Sequence, residues 1–206
     1  MKDQIYHEQI ADQLFCDILM DSSQQIAQKV VHFMSDYLKE NKKDPEWMYF
    51  AQGSDSTKIY DSYNIFLNHR PGFATLYERI VNSFKEKVDN PKEYAISGWV
   101  NVYNSGGFLD WHTHGVYPDG YFDERWHGYF CVNAEPSKTL YRDNETERLI
   151  KSVENRNGWL TMSPGGHQHR TTPWEDQDKP RITIAFDILL RNEISTDNYN
   201  HWIPII

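Results

Sequence analysis

The hydrophobic positions change period once along the chain, near residue 92. Before that point the apolar residues recur at the spacing of a single helix face. Ile26, Val30, Phe33, Met34, Tyr37 and Leu38 form one such series. Asp21 or Ser22 can cap its start. The polar stretch from Glu40 to Asp44 followed by Pro45 ends it, because proline cannot continue a helix. Phe73, Leu76, Tyr77, Ile80, Val81 and Phe84 form a second series. Pro71, a favourable first-turn residue, opens it, and Asn90-Pro91 lies near its end. Ile10, Leu14, Phe15, Ile18 and Leu19 follow no decisive period, so residues 1–20 are assigned neither helix nor strand.

After residue 92 apolar and polar residues alternate, which is the period of a half-buried strand. Candidate strands are Tyr94–Asn104, Phe108–His112, His127–Ala134, Thr139–Arg142, Ile150–Glu154, Gly158–Met162, Gln168–Thr172 and Arg181–Leu190. Turn chemistry separates them: Asn104-Ser105-Gly106-Gly107, Pro118-Asp119-Gly120, Asn157-Gly158 and Pro164-Gly165-Gly166. Short strands at close spacing after two helices predict a mainly β fold, a sandwich or barrel braced by helices. A single domain over residues 1–206 is expected. Residues 1–92 would give helical support, 93–191 the β core and 192–206 a tail. That tail ends His201-Trp202-Ile203-Pro204-Ile205-Ile206, apolar for a terminus. It is expected to pack back on its own domain, with a homo-oligomer contact as the alternative.

Composition sharpens this picture in three ways. The 206 residues are 15% aromatic, which suits a β-rich core with large side chains. The formal net charge of -9 disfavours nucleic acid as a general partner. No apolar run approaches the roughly 18 residues of a membrane span, and the N-terminus carries no apolar signal core. Cys16 and Cys131 then read as reduced thiols, and a cytoplasmic location is expected. There is no glycine-rich dinucleotide fingerprint, phosphate loop, Cys-x-x-Cys pair or nucleophile elbow. His7-Glu8 is followed by Ala11 where a zinc protease needs its second histidine.

The histidines carry the candidate chemistry. His112, His114, His127, His167 and His169 fall within one stretch of the β region. Residues two apart on a strand share a face, so His112 and His114 point together, with Trp111 and Thr113 opposite. Two imidazoles on one face make a pair of metal ligands, and His167 or His169 can supply a third. Alone, a His-x-His pair is as readily two polar surface residues. The ordered combination changes the balance: His-x-His near a glycine turn, a distal His, then Arg181-x-Thr183 inside a β run.

From Asn101 to Phe186 that order resembles the iron(II)- and 2-oxoglutarate-dependent oxygenases, above all a small bacterial and phage branch. The resemblance rests on several features. They are the Asn101-Val102-Tyr103 strand, the glycine turn, His112-x-His114, the run from His127 to Asn133, Pro164 five residues before His169, and Arg181-x-Thr183. It implies a double-stranded β-helix, a jelly-roll, cupin-like barrel open at one end. It further implies Fe(II), 2-oxoglutarate and O2 as cofactor and cosubstrates. His112 would be the first ligand and His169 the distal one, ahead of His167 because of its spacing from Pro164 and Arg181.

One position departs from the family pattern. Most of the superfamily has Asp or Glu two residues after the first histidine, where this chain has His114. Three histidines, His112, His114 and His169, could then form the site. A carboxylate such as Asp110, Asp119, Asp123 or Glu124 could instead complete it, or His114 could orient substrate beside an empty slot. The facing geometry favours three histidines. Arg181 would hold the far carboxylate of 2-oxoglutarate with its planar fork, and Thr183, on the same face, would add a hydrogen bond. Tyr103 would reach the cosubstrate or serve as a core tyrosine.

The implied activity is oxidative decarboxylation of 2-oxoglutarate coupled to hydroxylation of a small-molecule or peptide or protein substrate, set by the loops Gly115–Trp126 and Asn144–Arg148. Three rivals remain open. One is a cupin-like metal dioxygenase that needs no 2-oxoglutarate. Another is a non-catalytic jelly-roll binding protein. The third is a halogenase-type variant, against which a bulky His114 argues.

Overall fold

The computed structural model describes residues 4–41, 51–60, 62–114, 125–164, 167–194 and 201–206. Within them the chain runs β1 (Tyr6–Gln9), α1 (Gln13–Asn41), β2 (Ala51–Ser56), α2 (Phe73–Lys85) and β3 (Tyr94–Leu109). It continues through β4 (Trp126–Asn133), β5 (Lys138–Arg142), β6 (Leu149–Glu154), β7 (Trp159–Pro164), β8 (Gln168–Thr171), β9 (Arg181–Leu190) and β10 (Ile203–Pro204).

Both predicted helices are present with shifted ends. α1 begins at Gln13 because Asp12 caps it, its Oδ1 accepting the Phe15 N–H at 2.9 Å. The first turns then bury Phe15, Cys16 and Leu19, and later turns Ile26, Ala27 and Met34. Phe33 and Tyr37 share the helical spacing but face outward, 65% and 47% exposed. α2 buries Phe73, Leu76, Ile80, Val81 and Phe84 as expected, with Tyr77 partly covered. It stops at Lys85, before the expected end, and Pro91 opens a separate 3-10 turn.

The strands form a seven-stranded sheet in the order β1-β7-β4-β9-β3-β10, with β2 also on β3, and a three-stranded sheet in the order β6-β5-β8. From β3 onward the chain passes back and forth between the two sheets, which makes a double-stranded β-helix. The region before residue 93 adds two strands the pattern did not reveal. β1 and β2 read Tyr-His-Glu-Gln and Ala-Gln-Gly-Ser-Asp-Ser and pair only at sheet margins, so neither needs an apolar face. The tail packs on its own chain: Ile203 and Pro204 pair with Ile96 and Ala95, and Ile205 is buried.

The large sheet has two different faces. On β9, Ile182, Ile184, Phe186 and Ile188 join the apolar core formed with α1 and α2. The alternate residues, Arg181, Thr183, Ala185 and Asp187, lie on the opposite face. On β4, Phe130 and Val132 face the helices, while His127, Tyr129 and Cys131 face the small sheet. The space between the sheets is therefore lined by polar side chains. Among the described residues no helix is long and apolar enough to cross a membrane.

Candidate metal centre

The end of β3 carries the first histidines into place. Gly106, at φ +80, a conformation L side chains rarely adopt, gives β3 a local bend while its pairing with β2 continues to Leu109. Beyond the bend the chain runs beside β8. The Gly106 N–H donates to Trp174 O at 2.7 Å and the Trp174 N–H to Gly107 O at 3.0 Å. His112 and His169 then exchange both backbone hydrogen bonds, at 3.1 and 3.0 Å. A sequence separation of 57 residues thus becomes a direct cross-strand pair.

The outcome is a cluster in which one ligand atom each from His112, His114 and His169 lies within 4.8 Å of the others. The three rings are oriented from behind. His112 Nδ1 lies 2.8 Å from the Asp110 carbonyl, and His169 Nδ1 3.1 Å from the His167 carbonyl. A carbonyl only accepts, so these Nδ1 atoms carry the proton and each Nε2 keeps its lone pair. His114 Nδ1 meets Asp187 Oδ1 at 2.5 Å. A second hydrogen bond of this kind fixes the tautomer of metal-binding histidines.

Burial, followed by the charge of His114, holds His112 down at about 4. Burial and the neighbouring His112, His127 and His114 hold His169 well below its ordinary value. Both rings are therefore neutral near pH 7, the form that ligates. Burial alone would raise the Asp187 carboxyl. The His114 imidazole outweighs it, and Asp187 lies below the usual value as an anion.

Two residues of this centre were not singled out by the sequence. Asp187 sits on β9 six residues past Arg181 on the same face, and the alternation Arg181, Thr183, Ala185, Asp187 was the signal. His127, on β4, stacks at 4.7 Å on both His114 and His169, tilted by only 7° from the latter. Trp99 also stacks on His114, at 5.7 Å.

The alternative ligands fall elsewhere. The Asp110 carboxylate accepts the Trp111 N–H at 2.8 Å and is turned to its own backbone. His167 contributes its carbonyl to His169 and is outside the cluster. Asp119, Asp123 and Glu124, with most of the Gly115–Trp126 loop, lie outside the described residues.

Deeper in the same interior lie Arg181, Thr183 and Tyr103, each at most 3% exposed. Arg181 pairs with Tyr103 across β9 and β3, its guanidinium 5.2 Å from the phenol ring. Arg181 Nε donates to Ser137 Oγ at 3.0 Å, and no carboxylate among the described residues pairs with it. Thr183 lies between Asn101 and Cys131. Burial, partly offset by Arg181, pushes the Tyr103 hydroxyl up to about 12.

No protein-family model matches the sequence, and no curated protein matches it. Solved structures do. A viral collagen prolyl hydroxylase from Paramecium Bursaria Chlorella virus-1, in its 2OG complex, superposes with a TM-score of 0.52 at 11% identity over 89% of this chain and 94% of that one. The fold matches that of the 2-oxoglutarate–iron(II) oxygenases. A Pseudomonas putida prolyl-4-hydroxylase gives 0.55 at 10% identity over 90% and 91% of the two chains. A non-heme monooxygenase, ThoJ, in a nickel complex, gives 0.57 at 12% identity over 92% and 75%. At such identities the likeness establishes the fold, and the function has to be argued from the site.

Proposed function

We propose that this chain is a non-haem iron dioxygenase that couples oxidative decarboxylation of 2-oxoglutarate to hydroxylation of a second substrate. One observation carries the reading. Three convergent imidazoles share an interior with a buried arginine that has no acidic partner among the described residues.

The donor set fits Fe(II). Imidazole nitrogen suits iron, and three ligands leave coordination positions open. When bound there, iron supplies the oxidising chemistry: O2 is reduced while the keto acid loses CO2 to become succinate and a C–H bond gains oxygen. The charges also fit. Three neutral imidazoles leave the metal's charge of two unneutralised, Arg181 adds one, and Asp187 removes one. A dianion such as a 2-oxo diacid balances the remainder.

The residues divide the remaining work. His112, His114 and His169 hold the metal. Asp187 holds the His114 ring through Nδ1. Arg181 offers a planar fork to the far carboxylate, and Thr183 a hydroxyl beside it. Ala185 lies between Thr183 and Asp187 on that face and leaves the wall low where the cosubstrate would run. The apolar core behind the large sheet keeps water from entering through that wall.

The test is Fe(II)-dependent conversion of 2-oxoglutarate to succinate in air, with Arg181→Ala as control. Turnover in the wild type and its loss in the variant support the reading. Turnover unaffected by Arg181→Ala contradicts it. The neutral donor set also favours a second reading, a cupin-like dioxygenase without 2-oxoglutarate, in which a buried Arg181 has no assigned role.

A further inference from the structure

A buried hydrogen-bond network stands behind Arg181. Ser137 Oγ donates its one proton to Ala134 O at 2.6 Å. Its oxygen then accepts twice, from Arg181 Nε at 3.0 Å and from Asn155 Nδ2 at 2.9 Å. Asn155 Oδ1 in turn accepts Tyr129 O–H at 2.9 Å and Thr139 Oγ1–H at 3.2 Å. Ser137 Oγ has given its proton to Ala134 O and can only accept, so Nδ2 of the amide must face it. The Asn155 N–H also donates to Ser137 O at 2.9 Å, which locks the two residues together through the backbone. Ser137, Thr139 and Asn155 are all buried.

We infer that Asn155, acting through Ser137, is the positioning residue that sets where the Arg181 fork lies, and so which chain length of 2-oxo diacid the site accepts. The inference rests on the proposed function. An arginine has a long, flexible stem, and its Nη groups can swing by several ångströms unless Nε is anchored. Here Nε is anchored to a hydroxyl that has itself no freedom to rotate. The distance between the histidine cluster and the fork is then a fixed property of the barrel, and a diacid one methylene shorter or longer misses one end. Such a lock explains why a buried hydroxyl and amide occupy this place: an apolar pair would fill the space but leave Arg181 Nε unpaired.

The network makes a sharp substitution possible. Asn155→Asp has nearly the same shape but replaces the Nδ2 donor by an acceptor. Ser137 must then turn its proton away from Ala134 O, and an anion arrives beside the fork that should receive the cosubstrate. Ser137→Ala removes the anchor directly and keeps every backbone hydrogen bond.

The experiment is an anaerobic titration of the full chain loaded with Fe(II), using oxaloacetate, 2-oxoglutarate and 2-oxoadipate in turn. The expected result for Asn155→Asp and for Ser137→Ala is unchanged iron stoichiometry, 2-oxoglutarate affinity weakened about tenfold or more, and a narrowed preference over the other two diacids. A merely structural role would not alter the ranking of diacids. Both variants binding 2-oxoglutarate within about twofold of wild type, with the wild-type ranking kept, would overturn the inference while the proposed function stands. A wild type that binds iron but none of the three diacids overturns the proposed function and this inference with it. Ser137→Ala carries the test alone where Asn155→Asp does not fold.

Discussion

The Nδ1 of His114 and the Oδ1 of Asp187 lie 2.5 Å apart, joining the bend after β3 to the inner face of β9. The family pattern has a carboxylate two residues after the first histidine, and in this chain that position holds His114. Asp187 supplies a carboxylate behind that ring instead, and in the proposed iron site it would orient the ring and offset part of the metal's charge. Asp187→Asn keeps the shape and removes the charge. The expected outcome is a loss of about 10–100-fold in Fe(II) or Ni(II) affinity, read by competition with a chelator. Unchanged affinity would show that Asp187 only fills space.

The ligand assignment separates two neighbouring histidines. His169→Ala should abolish stoichiometric metal binding, because it removes one of three converging nitrogens. His167→Ala should leave binding nearly intact, since His167 supports the site through its backbone carbonyl, which the substitution keeps. Isothermal titration with Ni(II) distinguishes them, and equal losses would contradict the assignment.

Acid should destabilise the metal-free protein in a defined window. His112 is held at about 4 in the folded chain, by burial first and the charge of His114 next. The unfolded chain takes up that proton near pH 6.5. Between these values the unfolded state binds more protons, so stability is present above about 6.5 and is lost as pH falls toward 4. His169 is lowered too and acts in the same direction. Thermal melts of the metal-free chain at several pH values check this, and a midpoint that does not fall across the window would refute it.

Gly128 lies on β4 next to His127, and a Cβ there would come within 2.5 Å of both Phe186 Cζ and Thr161 O. Gly128→Ala should cost about 1–3 kcal/mol of stability, because the backbone oxygen cannot yield as a side chain could. Denaturant unfolding measures it. Since the strand it displaces carries His127, metal affinity should fall as well.

Much of the barrel was legible because its strands alternate between two unlike faces. Arg181–Leu190 was read with its exact ends, and His127–Ala134 to within a residue at each end, since buried Ile and Phe punctuate them. β1 and β2 were illegible for the converse reason: they are short polar margin strands held by backbone pairing. The start of α1 was missed because its cap, Asp12, lies among residues with no clear period. At the site the alternation that puts Arg181 and Thr183 on one face continues to Asp187, two positions beyond Ala185 and outside the Arg-x-Thr motif. His127 was noticed only as one member of a cluster. Its role depends on stacking against rings from the bend after β3 and from β8, a relation no local pattern encodes.

The most direct test of the whole account is an anaerobic titration of the metal-free chain with Fe(II) and then 2-oxoglutarate, watching the visible charge-transfer band of the chelated complex. A saturable band at one equivalent, lost in Arg181→Ala while iron remains bound, is the expected result. Iron bound with no band in the wild type would contradict the account and leave a cupin-like metal enzyme, and no iron bound at all would leave a jelly-roll binding protein.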